Sequence, residues 1–383
     1  NRAEQFFIGK ERTHMKIVKR FLPAFLFVLV LLLAGCSPMG KSDVKEVITR
    51  ELDLLKNLDS EKTQEYVSYK ELFPAAKDME LSAEVKEVFS LFFRNFDYKI
   101  QEIHIDKKQK TASASVKLST LDARSLAEDF EALKLKTEIE AAASSKSAEN
   151  FSDSTDDNYR LLNQLLKKNK YETTEEICTI TLHYKNDIWK IDHSNSLEND
   201  LVGGLITYLS DPDILSPEET MKVYLKTLKK MDLEEMNNFL GIESLLTSGD
   251  TARSAIASAL VEQVHTNFNY KISESTVSGY TASVKAEITT FDSDSILDNY
   301  HEKLNDYLAP ADAVIDGSEK RYLKSYELLL ETIEENEDTI TASADFHLVN
   351  DGASWKLKDA SAELGNAIFG TLVTSPVSEE SDE

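Results

Sequence analysis

Apolar positions along the chain fall into two rhythms, and the same succession of rhythms occurs twice. Ile48, Leu52, Leu55 and Leu58 recur at helical spacing, as do Met221, Leu225, Leu228 and Met231. That spacing marks one buried helical face. Ahead of them, Asp43-x-x-Glu46 and Ser216-Pro217-Glu218-Glu219 predict helix N-caps with an acid at N3, and Pro217 suits N1. Asp59 and Asp232 are expected to break one helix and start the next.

The rhythm then changes to period two. "NFDYKI" at 95–100 returns as "NFNYKI" at 267–272. Phe96, Tyr98 and Ile100, like Phe268, Tyr270 and Ile272, predict one face of a half-buried strand, with Asp97/Asn269 and Lys99/Lys271 on the other. Ala112, Ala114, Val116 and Leu118 match Ala282, Val284, Ala286 and Ile288 on a second strand, which runs into "STLD" (119–122) or "TTFD" (289–292). The joining turn is Asp106–Lys110 in one copy and the Ser278-Gly279 region in the other. Two helical stretches follow, starting at Leu126, Phe130 and Leu133 or at Leu297, Tyr300, Leu304 and Tyr307. Their second members carry Tyr159, Leu162, Leu165 and Leu166, or Leu323, Tyr326, Leu329 and Leu330. In the first copy a small, polar run at 141–157 between them reads as a loop. A hairpin closes each copy: Cys178, Ile180 and Leu182 match Ala344, Phe346 and Leu348, and Trp189-Lys190-Ile191 matches Trp355-Lys356-Leu357. Asn186-Asp187 and Asp351-Gly352 supply turn residues that accept positive φ. A short apolar helix at 201–209 or 364–372 ends each copy.

Each copy is thus read as helix-helix, hairpin, helix-helix, hairpin, short helix. This predicts two tandem homologous α+β domains, with helices on a mainly antiparallel four-stranded sheet. The expected boundaries are 43–210 for the first repeat, 211–215 for a linker and 216–373 for the second repeat. Residues 374–383 form an acidic tail expected to be disordered. The two-helix start, the Asp at the helix break and the closing W-K-I/L strand resemble the nuclear-transport-factor-two-like, cystatin-like fold. Similar domains occur in an uncharacterised lipoprotein family of Gram-positive bacteria.

The N-terminal part follows a different logic. Lys16, Lys19 and Arg20 precede an apolar run from Phe21 to Leu33, too short for a comfortable membrane span. The run ends in Leu33-Ala34-Gly35-Cys36. This resembles the lipobox of bacterial lipoproteins. The resemblance implies a signal peptide at 15–35, with Leu33, Ala34 and Gly35 read by the peptidase. It also implies a diacylglyceryl group on Cys36, palmitate-type acylation, and a tether at 36–42 on the extracytoplasmic face of the cell membrane. Two acyl chains, at roughly 0.8 kcal/mol per buried methylene, anchor stably where one does not. Met15 reads as the start, because Lys10-Glu11 can be encoded AAG-GAG, a ribosome-binding sequence. Residues 1–14 are therefore expected to be untranslated leader.

Charge narrows the partners. The chain of 383 residues carries a formal charge of −25, and removal of residues 1–35, with six basic and two acidic side chains, makes it −29. Such a chain is repelled by nucleic acid and by anionic lipid headgroups, so neither is an expected ligand. The expected partners are the bilayer, through acylated Cys36, and an envelope protein that the sequence does not identify.

Candidate chemistry is sparse. There is no H-E-x-x-H, phosphate-binding glycine loop or G-x-S-x-G. The histidines at 104, 183, 193, 265, 301 and 347 lack metal-ligand spacing, although His183 and His193 flank one hairpin. No metal and no cofactor is expected. Asp292-x-Asp294 and the acids of 153–157 lack the Gly and distal Glu of a calcium loop and read as helix caps. Lys107, Lys108 and Lys110 read as a solvated hairpin tip. Cys178, in a strand phase shared with Ala344, reads as a packed thiol with no disulfide to Cys36. The matched aromatics Phe96, Tyr98, Trp189, Phe268, Tyr270 and Trp355 read as core packing or, alternatively, as the lining of a concave pocket. The expected function is a membrane-anchored lipoprotein with a non-enzymatic binding or structural role. The alternative is a small-ligand receptor or enzyme using a pocket in one repeat.

Overall fold

The computed structural model describes residues 40–57, 83–144, 155–192, 194–240, 251–310 and 315–374. Leu33–Cys36, residues 1–14, the 15–35 signal, most of the 36–42 tether, Leu58, Asp59, the greater part of 141–157, His193 and the tail beyond Thr374 lie outside them. By packing, the described residues form two compact units. The first lies within Asn1–Leu133 and Ser152–Ile214, the second within Lys134–Phe151 and Leu215–Glu383.

The first unit begins with α1 (Lys41–Lys56), whose Val44, Ile48, Leu52 and Leu55 are buried at the predicted spacing. The helix starts three residues earlier than an N-cap at Asp43 predicts. Gly40 occupies the N-cap, and Asp43, at N3, accepts from the Gly40 N–H at 3.0 Å. α2 (Ala83–Phe92) follows, then β1 (Asp97–Asp106), β2 (Thr111–Leu121), α3 (Ala123–Ala143), α4 (Thr155–Lys168), β3 (Thr173–Lys185), β4 (Ile188–Ile191), α5 (Asn195–Leu201) and α6 (Leu205–Tyr208). The second unit follows the same succession with one more described helix ahead of its first hairpin: α7 (Pro217–Leu228), α8 (Leu233–Leu240), α9 (Thr251–Asn267), β5 (Asn269–Ser278), β6 (Thr281–Phe291), α10 (Ser293–Leu308), α11 (Gly317–Glu334), β7 (Thr339–Asn350), β8 (Trp355–Leu357), α12 (Ala360–Phe369) and α13 (Thr371–Thr374). Lys134–Ala143 of α3 belongs by packing to the second unit, whose core takes in Leu135, Ile139 and Ala143.

Each unit holds one four-stranded antiparallel sheet, in the order β1-β2-β3-β4 or β5-β6-β7-β8. The fold is therefore α+β with two similar halves. The second strand supplies the clearest alternation. Ala114, Val116 and Leu118, like Val284, Ala286 and Ile288, are buried, and Ser, Thr, Lys and Glu fill the other phase. The final hairpins also match expectation: Asn186 and Asp187 both have positive φ, and Gly352 has φ +87°. Asp122 and Asp292 open the helices after the second strands, each accepting backbone N–H bonds from the first turn.

Three features depart from the sequence reading. α2 and α9 add a helix before the first hairpin of each unit. α9 buries Ile256, Leu260, Val261 and Val264, and packs on α11 as α2 packs on α4. The first strand of each unit carries a β-bulge at the same place, between Ile100 and Glu102 and between Ile272 and Glu274. The extra residue flips the side-chain phase, so Ile103 returns to the core of the first unit. In α10 the buried residue is Ile296 rather than Leu297, in register with buried Leu126.

Candidate functional site

The residues with the most specific signal, Leu33, Ala34, Gly35 and Cys36, lie outside the described residues. No described helix is long and apolar enough to cross a membrane. The site-like features left to weigh among the described residues are the matched aromatics, the titratable clusters and a surface depression.

Phe96, Trp189, Phe268 and Trp355 are buried, and Tyr98 and Tyr270 are half-buried beside them. Phe96 and Tyr98 lie 6.4 Å apart at 35°, Phe268 and Tyr270 6.1 Å apart at 40°. The near-identical geometry follows from i, i+2 placement on a pleated strand just ahead of the bulge. Phe268 and Trp355 belong to the core of the second unit, with Tyr270 packed against it. Trp189 also meets Tyr184 edge-on at 5.2 Å, and its buried indole N–H has no partner among the described residues.

Polar groups converge around Tyr98 in the first unit. Its hydroxyl donates to Asp53 at 2.7 Å, and Lys56 bonds Asp97 at 2.6 Å while lying over the Tyr98 ring. The corresponding position to Asp53 on α7 is Lys226, so the bond from Tyr98 to Asp53 has no counterpart at Tyr270 among the described residues. Burial, reinforced by the bond to Asp53, pushes the Tyr98 hydroxyl up to about 12. A phenol held in that way keeps its proton at neutral pH and pins α1 to β1; it is poorly matched to acid–base work.

In the second unit, Lys356 on β8 sits 3.3 Å from Asp351 and 3.9 Å from Glu138. Burial lowers the lysine's pKa, but the two carboxylates outweigh it and the net shift is upward. The ammonium therefore stays charged, bridging the β7–β8 turn to α3.

The histidines take separate partners. His183 bonds Asp192, His347 lies 3.3 Å from Glu363, His104 3.0 Å from Glu102, and His265 bonds the Met231 carbonyl at 2.8 Å. His301 stacks beside Tyr300 at 5.4 Å. Among the described residues no group of three His, Cys, Asp or Glu side chains could hold a metal ion. Asp292 caps α10, and Asp294 accepts from the Thr371 hydroxyl at 2.7 Å, so both carboxylates have structural work. Lys107, Lys108 and Lys110 lie on the exposed β1–β2 turn, where Asp106 accepts two backbone N–H bonds.

An open depression of about 360 Å³ lies beside Asp232, Leu233, Glu234 and Asn237. Asp232 and Glu235 form a reciprocal capping box there, at 2.9 and 3.0 Å, which starts α8 as the sequence predicts.

Desolvated carboxyl groups, unlike the packed thiol of Cys178, were the feature that sequence reasoning missed. Glu51 on α1 is raised by burial to about 7, with nearby Arg50 only partly offsetting it. Glu198 and Asp200, near the end of the first unit, are both raised by burial, Asp200 also by Glu176. Cys178 is a free, buried thiol raised to about 12 by burial and by Asp200. A thiol so shifted holds almost no thiolate, the nucleophilic form, at neutral pH.

Comparison with known proteins adds little. No family model matches the sequence. No curated protein matches it either. Among solved structures, the crystal structure of a candidate lipoprotein, ycdA, from Bacillus subtilis subsp. subtilis str. 168 aligns over 71% of this chain and 96% of its own, at 12% identity and a TM-score of 0.26. At those values the likeness carries no weight on either fold or function.

Proposed function

We propose that the protein is a lipid-anchored lipoprotein of the extracytoplasmic face of the cell membrane. Its two α+β units serve a non-enzymatic binding or scaffolding role in the envelope. The observation that carries this reading is the order of signals at the N-terminus: Lys16, Lys19 and Arg20, the apolar run Phe21–Leu33, then Ala34-Gly35-Cys36. Each part has its own chemical duty. The cations hold the n-region on the cytoplasmic side, the apolar run enters the bilayer, and the small residues fit a narrow peptidase. The thiol that follows receives the lipid. A non-enzymatic role is supported by the use of the aromatics in packing and by the raised pKa values of Tyr98 and Cys178.

The test is membrane fractionation of the full chain and its Cys36→Ala variant. The reading predicts that the native chain stays in the membrane pellet through a high-salt wash, and that Cys36→Ala loses acylation and peptidase processing. Unchanged acylation and processing in Cys36→Ala would refute it.

A further inference from the structure

β8 is much shorter than the strand it pairs with. It pairs only with Leu348–Asn350, at the end of β7. Upstream, the His347 carbonyl accepts from Lys358 N–H at 2.9 Å, and the His347 N–H donates to Glu363 at 2.7 Å. Among the described residues the edge contacts stop there. The Asn350 N–H points towards β6, donating to the Tyr280 carbonyl, and β7 pairs with β6 without a bulge. Strand alternation therefore turns the N–H and C=O groups of residues 339, 341, 343 and 345 away from β6. Among the described residues no strand takes them. The stretch is exposed except at half-buried Ala344.

We propose that Thr339–Asp345 pairs antiparallel with the same segment of a second copy of this chain, about a twofold axis at Ala342, making one continuous sheet from two. Ala342 is the midpoint of the open stretch. The register sets Ala342 against Ala342, Thr341 against Ser343, Ile340 against Ala344 and Thr339 against Asp345. No like charges face each other, and the small side chains allow close approach. The stretch contains no Lys, Pro or bulge, the usual guards of an open edge. Other edges are guarded. β1 and β5 carry bulges and charges at Lys99, Glu102, Lys271 and Glu274. The corresponding open stretch of β3, Thr173–Thr179, has Glu176 at its midpoint, so two copies paired in that way would set carboxylate against carboxylate. Charge thus directs self-pairing to β7, as an isologous contact.

The proposed axis permits a direct test in the full chain, in membranes and in detergent extracts. Across a non-hydrogen-bonded antiparallel pair the Cα atoms lie about 4.5 Å apart, within disulfide range. Under mild oxidation, Ala342→Cys should give a disulfide-linked dimer, and adding Ser343→Pro should cut its yield on the order of ten-fold or more. The proline removes only an outward N–H, so the β6 ladder remains. As a second measurement, sedimentation of detergent-extracted chain should show self-association, weakened on the order of ten-fold by Ala342→Glu, which puts like charges on the axis. Cross-linking no greater than that of Val277→Cys, an exposed position on β5, would overturn the proposal. So would a dimer indifferent to both Ser343→Pro and Ala342→Glu.

Discussion

Gly370 and Ser293 approach so closely that a Cβ on the glycine would lie 2.7 Å from the serine Oγ. Gly370 also has φ +52°, where L side chains are strained. Ser293 bonds the hydroxyl of Thr371 at 3.0 Å, so the contact locks the C-terminal helix onto the start of α10. The first unit closes similarly: at Gly203, φ +62°, a Cβ would lie 2.5 Å from Thr120 Oγ1.

Gly370→Ala should therefore destabilise the second unit by about 2–3 kcal/mol, from backbone strain plus displacement of Ser293. Gly279→Ala, at φ +61° with nothing within 4 Å, should cost only about 1 kcal/mol. Urea unfolding midpoints of the two variants, at unchanged m-value, check the difference.

The tryptophans should separate in the same assay. Trp189→Phe loses volume but also removes a buried indole N–H that lacks a partner among the described residues, so its cost should stay below about 1.5 kcal/mol. Trp189→Ala opens a large cavity and should cost about 3–5 kcal/mol. Equal losses for Phe and Ala would show that the N–H is satisfied in solution.

Periodicity revealed the strands because one sheet face is fully buried and apolar and the other only half-buried and polar, as Ala114, Val116 and Leu118 show against Ser113, Ser115 and Lys117. It missed α9 because that helix mixes Ala, Ser and Thr into an apolar face, blurring the contrast. It missed the bulges at Gln101 and Ser273 because an extra residue leaves no mark in composition. Asp43 drew the helix start to itself because a side-chain cap is visible in sequence, whereas Gly40 caps through the backbone. The anchor signal was legible because its chemistry is linear, read by enzymes as an extended segment. The raised pKa of Glu51 depends on packing and could not be read from α1 alone.

Glu51 should make stability pH-dependent. Its pKa is raised from 4.5 to about 7, so the folded state binds the proton more tightly than the unfolded state. The stabilisation is fully present below the unfolded pKa and is lost as pH rises through about 7. The loss is about 3 kcal/mol at most. Glu51→Gln should remove this component, giving a stability that falls less between pH 4.5 and 8 than that of the native chain. Parallel pH profiles would contradict the assignment.

Cys178 should resist alkylation in the native protein. Its thiol is buried and its pKa raised to about 12, so almost no thiolate is present at pH 8. Iodoacetamide should label it only with denaturant present. Native labelling at the unfolded rate would contradict the burial.

The most direct test is mass spectrometry of the N-terminal tryptic peptide of the mature protein recovered from membranes. The lipoprotein reading predicts a peptide beginning at Cys36, ending at Lys41 and carrying the mass of a diacylglyceryl group on the cysteine. An unmodified Cys36 within a peptide that still contains Ala34 and Gly35 would contradict it.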